Sequence, residues 1–273
     1  RLIDGFIASG KCDAATDYAQ HIPTRVIAKM LGMDEEDGDR YRRWIKMALE
    51  EGIHDPEKVM QSLKEMTIYF GEEQKKPGNT PGEDLISFMR DQRIDAQPLP
   101  PDTLIGTLRL LLIAGIDTTW SAIGASLWHL ATHEDDRRRL VADPSLMDTA
   151  IEELLRAYAP VTMAREVVKD VTINGCPMKP GSMVLLSFPA ANRDPEMFPD
   201  ADKVVIDRKE NRHAAFGPGI HRCVGSNLAR MELRVALEEW LKRIPEFRLA
   251  PSSRVTWSEG TVRGPRQLPV VFA

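Results

Sequence analysis

The sequence predicts a mainly α fold with a minor β part (α+β), carried on a single domain over residues 1–273. Three observations predict it. The stretch from Asp102 to Thr132 places Leu104, Leu108, Leu111, Leu112, Ile116, Ile123, Leu127 and Leu130 on several faces, the pattern of a helix buried in the centre of a large domain. Apolar residues recur at spacings of three and four on both sides of it. Strand signals are confined to about 167–187 and 246–273. The chain has 273 residues, 42% apolar and 28% charged, with no internal repeat and no linker that divides it.

The elements follow in order. Residues 13–32 read as helix, with Tyr18, Ile22, Val26, Ile27, Met30 and Leu31 on the apolar face and an interruption at Pro23. Asp34-Glu35-Glu36-Asp37 is the acidic start of a second helix through Tyr41, Trp44, Ile45 and Leu49. A third runs from Pro56 to Phe70, with Pro56 near its first turn. Residues 74–82 are loop by composition, 84–92 a short helix and 95–101 a Pro-rich connection. After the central helix, about 102–132, Glu134-Asp135-Asp136-Arg137-Arg138-Arg139 opens a helix matched to its dipole. Another covers Pro144 to Tyr158 and stops at Pro160. Val167 to Ile173 reads as a strand that turns at Asn174-Gly175, and Ser182 to Ser187 as its sequel. Residues 190–215 are irregular, and so long a loop in a compact domain is usually functional. A last helix carries Leu228, Met231, Val235, Trp240, Leu241 and Ile244 on its apolar face; short strands follow over 246–273.

Composition excludes several roles. A net charge of −5 excludes a nucleic-acid binder. Cys12, Cys176 and Cys223 show no metal-binding spacing, and the odd count argues against a disulfide framework, so a reducing, cytoplasmic compartment is expected. The longest apolar run, Leu110 to Ala114, is far shorter than a membrane span, and no signal peptide opens the chain.

The most informative stretch is Phe216-Gly217-Pro218-Gly219-Ile220-His221-Arg222-Cys223-Val224-Gly225. A cysteine just ahead of a helix N-terminus has its thiolate favoured by unpaired backbone N–H groups and the helix dipole. Gly217, Gly219 and Gly225 give the backbone unusual freedom and let a flat partner approach. This suits a cysteine that ligates a metal centre lying against the loop. A second motif, Ala114-Gly115-Ile116-Asp117-Thr118-Thr119, puts glycine, a carboxylate and two hydroxyls into the greasy central helix. One reading is structural: both threonines bond back to their own helix and Asp117 faces a neighbouring arginine. A third motif, Glu153-Leu154-Leu155-Arg156, sets two charges on one helix face, able to pair.

These motifs, in this order, resemble those of the cytochrome P450 family over roughly residues 13 to 270. The resemblance implies the cytochrome P450 fold, in its soluble bacterial form, and a haem b cofactor (iron protoporphyrin IX) whose iron is ligated by Cys223. It implies that Asp117 and Thr118 are an acid–alcohol pair, the hydroxyl steadying dioxygen and the carboxylate relaying protons. Small residues, Gly115 among them, open the helix beside the haem. Arg165 and His221 match propionate donors, and Phe216 and Gly217 pack by the cysteine. Glu153 and Arg156 form a buried lock whose third arm is Arg208, with Arg193 as the alternative. Pocket candidates are Leu111, Gly115, Thr119, Thr162 and Met163.

The implied reaction inserts one atom of O₂ into a small apolar organic substrate, with electrons from NAD(P)H through a ferredoxin or flavin-type donor. Arg222, Arg230 and Arg234 form either a docking patch for that donor or simple surface charge. The alternative to an enzyme is a non-catalytic, cytochrome P450-like haem-binding or haem-free fragment or partner protein. The match opens with Ala19, Pro23, Val26, Ile27, Leu31 and Gly32, which lie in the middle of the family's domain. The expectation is therefore the C-terminal two-thirds or so of the fold, N-terminally incomplete, without most of the larger sheet, the pocket's roofing loop and a helix flanking the haem.

Overall fold

The computed structural model describes residues 1–76 and 84–273. Of the loop expected over 74–82, residues 77–82 lie outside the described residues.

The N-terminal region is less uniform than its periodicity suggests. Strand β1 (Lys11–Asp13) leads into a π-helical turn, Ala14–Ala19, and only then into α1 (His21–Leu31). Asp13 stops the strand, because its carboxylate accepts the N–H groups of Ala15 and Thr16. Pro23 falls in the first turn of α1, where its missing N–H leaves no bond unmade. Gly32 closes α1 at φ 74°, and a Cβ there would strike the Asp84 side chain. Helices α2 (Gly38–Leu49) and α3 (Pro56–Glu73) follow; Asp55 caps α3 through the Glu57 N–H. After α4 (Leu85–Arg90), a two-rung hairpin of β2 (Arg93–Ile94) and β3 (Gln97–Pro98) leads to the central helix.

Helix α5 (Pro101–Thr132) passes through two apolar clusters. Leu104, Leu108, Leu112 and Ile116 join Ile27, Leu31, Tyr41, Trp44, Met66 and Phe70 from α1–α3. Trp120, Ile123, Leu127 and Leu130 join Leu154, Leu233, Leu237, Trp240 and Leu268. Asp117 and Thr118 sit between Ile116 of one cluster and Trp120 of the other. By length and composition α5 could cross a membrane, but 67% of its most apolar window is buried inside the protein. Its greasy surface is spent on the core.

Helices α6 (Glu134–Ala142) and α7 (Met147–Ala157) continue the chain. Strand β4 (Thr162–Glu166) then pairs antiparallel with β7 (Met183–Ser187), Arg165 opposite Val184. Between them β5 (Val171–Ile173) and β6 (Cys176–Met178) form a hairpin. Asn174 and Gly175 both take positive φ, 49° and 79°, as a tight hairpin requires. The single strand expected over Val167–Ile173 is corrected. Val167 only closes the β4–β7 ladder, through its N–H to Ser182 O at 2.9 Å, and Lys169 and Asp170 lie outside any strand.

A short helix, α8 (Phe188–Ala191), interrupts the start of the irregular stretch. Helix α9 (Ser226–Arg243) follows the cysteine loop. Its buried face is Leu233, Ala236, Leu237, Trp240 and Leu241; Met231 and Val235, expected on that face, are exposed. The chain ends are joined in one antiparallel sheet, ordered β1, β11 (Pro269–Phe272), β8 (Phe247–Leu249), and β9 (Thr256–Trp257) pairs with β10 (Pro265–Gln267).

Candidate active site

The cysteine loop is held by its backbone. The Cys223 N–H donates to Phe216 O at 2.8 Å and closes the loop on itself. Gly217 (φ 69°) and Gly219 (φ 70°) take the left-handed conformation that favours glycine. Gly225 is a correction: its φ of −83° suits any residue, and it is the N-cap of α9. Cys223 is therefore two residues ahead of that cap, with its side chain exposed. Phe216 is half-buried, with the Arg230 guanidinium 4.5 Å above its ring. His221 is exposed.

The neighbours of Cys223 are unusual for a water-facing loop. Ile220 is 98% and Val224 93% exposed. Elsewhere on the surface, Leu110 and Ala114 of α5, one turn apart, are exposed, as is Met163 of β4; Met183 and Leu185 are exposed on the opposite face of the β4–β7 ribbon. The two exposed apolar side chains on the loop that carries the Cys223 thiol are what a large, flat, apolar group would cover. Arg165, half-buried, spends one N–H on the carbonyl of Ala164 at 2.8 Å, which leaves other donors for an anion. An exposed thiol, exposed apolar side chains on its loop and a guanidinium with N–H groups to spare are residues whose chemistry fits haem.

The central helix departs from expectation in three places. A Cβ on Gly115 would lie 2.4 Å from Ile27 Cδ1, so its small size serves the close packing of α1 on α5. Ala114, not Gly115, is the small residue on the open side. Thr119 is buried and does not line an open pocket. Thr118 donates its hydroxyl to Ala114 O at 2.7 Å, as the structural reading of this motif requires. Of the remaining pocket candidates, Leu111 and Thr162 are half-buried and Met163 is exposed.

Asp117 is 1% exposed and faces Arg266, a residue that sequence reasoning did not single out. Arg266 Nη2 lies 2.8 Å from Asp117 Oδ1, off the hydrogen-bond axis. The guanidinium is also ion-paired to Glu50, donates to Ser121 Oγ at 3.1 Å and lies 4.4 Å from the Trp120 ring. Burial pushes the Asp117 carboxyl up to about 6, against the pull of the Arg266 charge. A desolvated aspartate signals that a cation must be near it, but nothing in the sequence says which of the arginines it is.

Glu153 is the centre of a buried polar knot. Its carboxylate accepts from Arg156 Nε and Nη2, both at 2.8 Å, from Arg208 Nε at 2.9 Å and from the Val205 N–H at 2.8 Å. Asn211 Nδ2 adds a bond at 3.1 Å. Burial alone would raise the Glu153 carboxyl; these donors outweigh it and hold it below the usual range. Arg156 also donates to the carbonyls of Asn192, Ala201 and Lys203, pinning the irregular stretch to α7. The third arm is Arg208; Arg193 instead donates to the carbonyls of Ala157 and Asp202. A parallel knot ties α9 down, because Glu152 accepts from Arg230 and contacts His213 Nε2 at 3.1 Å. Arg234 pairs with Asp148 and Glu238, so only Arg222 of the three-arginine patch has no acid against it among the described residues.

The family model for cytochrome P450 matches residues 27–259. The mycinamicin IV hydroxylase/epoxidase of Micromonospora griseorubida is 37% identical over 99% of this chain and 70% of its own length. The steroid C26-monooxygenase of Mycolicibacterium smegmatis is 34% identical over 99% of this chain and 69% of its own length. A solved structure, the cytochrome P450 of the Bacillus subtilis bacillaene polyketide synthase, superposes with a TM-score of 0.90 at 32% identity, covering 100% of this chain and 71% of that one. The fold and these relatives establish an enzyme of the monooxygenase type whose family implies a haem cofactor. The chain belongs to the cytochrome P450 family.

Proposed function

We propose that the protein inserts one oxygen atom of O₂ into a small apolar organic substrate, the other leaving as water with two protons and two electrons. The electrons come from NAD(P)H through a ferredoxin or flavin-type donor. The observation that carries this reading is the exposed Cys223 thiol on its glycine-bent loop, flanked by the exposed apolar side chains of Ile220 and Val224. Haem, when bound there, supplies the activation of dioxygen. Cys223 would ligate its iron. Arg165 and His221 would take the propionates in charge-assisted contacts. Phe216 and Gly217 shape the loop that carries Cys223. The relatives' names include a steroid monooxygenase and a vitamin D3 hydroxylase. We extend to this chain a lipophilic substrate, resting against Leu111, Thr162 and Met163.

Asp117 and Thr118 hold and move the protons. With its carboxyl near 6, Asp117 gives and takes a proton close to neutrality. Thr118 directs its own proton at Ala114 O, so its oxygen lone pairs remain to accept one. The test is an absorption spectrum of reduced protein under carbon monoxide, for wild type and Cys223→Ser. A thiolate-type band present in the first and absent in the second supports the assignment. A colourless wild type overturns it. A second reading, haem binding without turnover, is favoured by Asp117 and Thr118 both being engaged within the chain. Product formation from a lipophilic substrate with reduced donor separates the two.

A further inference from the structure

A cavity of about 530 Å³ opens beside the C-terminal end of α5, outside the cysteine loop. Its volume is in the range of small-molecule sites. Its walls are aromatic and fixed. Trp128 stands edge-on to Trp257, ring centroids 5.4 Å apart, and to Tyr158 at 5.7 Å. Tyr158 is anchored from behind: its hydroxyl meets His129 Nδ1 at 2.8 Å, and His129 Nε2 meets Asp136 at 2.9 Å. His129 is fully buried, and burial favours its neutral form. With Asp136 accepting from Nε2–H, Nδ1 is the acceptor and Tyr158 the donor.

The cavity's charged groups share one sign. Arg193 and Arg263 line it and no carboxylate does. Arg193 is partly spent on the carbonyls of Ala157 and Asp202. Arg263 is not. Its guanidinium lies 5.2 Å from the Trp257 ring centroid, and no described side chain or carbonyl pairs with it. A guanidinium stacked on an indole keeps its N–H edge free, and that edge matches a carboxylate in two parallel bonds. The flanking tryptophans offer faces and edges to a flat ring.

We propose that this cavity is a second ligand site, for a small planar aromatic carboxylate, with Arg263 taking the carboxylate and Trp128 and Trp257 the ring. It works independently of the cysteine loop and needs no haem.

The test is titration calorimetry of the purified chain with 2-naphthoate and with 2-naphthylmethanol, which keeps the ring and lacks the charge. The acid should bind about tenfold or more tightly than the alcohol. Arg263→Gln should bring the two level. Arg263 is exposed, so this variant should fold, which circular dichroism checks. Arg254→Gln, an exposed arginine outside the cavity, should leave the preference intact. Equal affinity for acid and alcohol in the wild type overturns the proposal. So does an acid preference that survives Arg263→Gln, or the absence of any binding heat at millimolar ligand.

Discussion

Arg266 and Asp117 meet in the seam between the two apolar clusters, Nη2 to Oδ1 at 2.8 Å, with Glu50 holding the guanidinium from the other side. The pair joins the C-terminal strand region to the middle of α5 and, through Glu50, to the end of α2. Its geometry sets the charge of the carboxylate on which the proposed proton transfer depends. Burial raises Asp117 from 3.8 to about 6, and Arg266 opposes the rise.

That relationship has a direct consequence for stability. An acid raised in the folded state holds its proton more tightly there than in the unfolded chain. Its contribution is complete below about pH 4 and lost as pH rises through about 6, a change of ~3 kcal/mol. Arg266→Gln removes the opposing charge, so the carboxyl climbs further and the loss extends to higher pH. Asp117→Asn should flatten the same window. Urea unfolding from pH 4 to 8 on the three proteins reads it. Superimposable pH slopes for wild type and Asp117→Asn would show that Asp117 does not titrate as described.

The Glu153 knot predicts a graded loss. Arg156→Leu leaves the fully buried carboxylate with Arg208 as its one remaining cation and removes three carbonyl contacts, and should cost about 3–5 kcal/mol. Arg208→Leu leaves Arg156 in place and should cost about 1.5–3 kcal/mol. Arg193→Gln, which touches Glu153 nowhere, should cost less than either. Chemical denaturation gives the order; Arg193 ranking with Arg156 would mean that the wrong third arm has been identified.

Those contrasts show what the sequence made legible. Glu153 and Arg156 are three apart on one helix, so local geometry alone brings them together. The cysteine loop is likewise local, closed by a bond from Cys223 N–H to Phe216 O. Arg266 was invisible because its partner lies on another element and nothing in the periodicity of a short strand points to it. Gly115 shows the same limit: a glycine in a helix announces a close approach but not whose, and here it is Ile27. Met231 and Val235 misled because α9 buries a face rotated from theirs, with Leu233 and Leu237 at its centre.

Exposure of the cysteines predicts their chemistry. Cys176 and Cys223 are exposed and Cys12 is half-buried, with burial pushing its thiol up to about 12. A bulky maleimide should label Cys176 and Cys223 in haem-free protein and leave Cys12 untouched. Added haemin should protect Cys223 alone. Mass spectrometry of the labelled peptides checks this. Protection of Cys176, or none of Cys223, would remove the thiol from the proposed cofactor site.

Glu232 offers a second, independent pH handle. It lies on the helix that follows Cys223, 5% exposed, with Oε2 lacking any hydrogen-bond partner. Burial alone raises its carboxyl from 4.5 to about 7, and no cation offsets the rise. The folded protein therefore keeps a proton on Glu232 that the unfolded chain has shed by pH 5. Stability from this group is complete below about pH 4.5 and lost by about pH 7, amounting to ~3 kcal/mol. Glu232→Gln keeps the shape and cannot ionise. Relative to wild type it should gain stability progressively from pH 5 to 7.5 and show no pH-dependent difference below 4.5. Because Asp117 titrates in an overlapping window, the comparison belongs in an Asp117→Asn background, where the remaining slope is assigned to Glu232. If that slope persists after Glu232→Gln, the buried carboxylate has a partner that holds its charge, and the helix behind Cys223 is not under the electrostatic load described here.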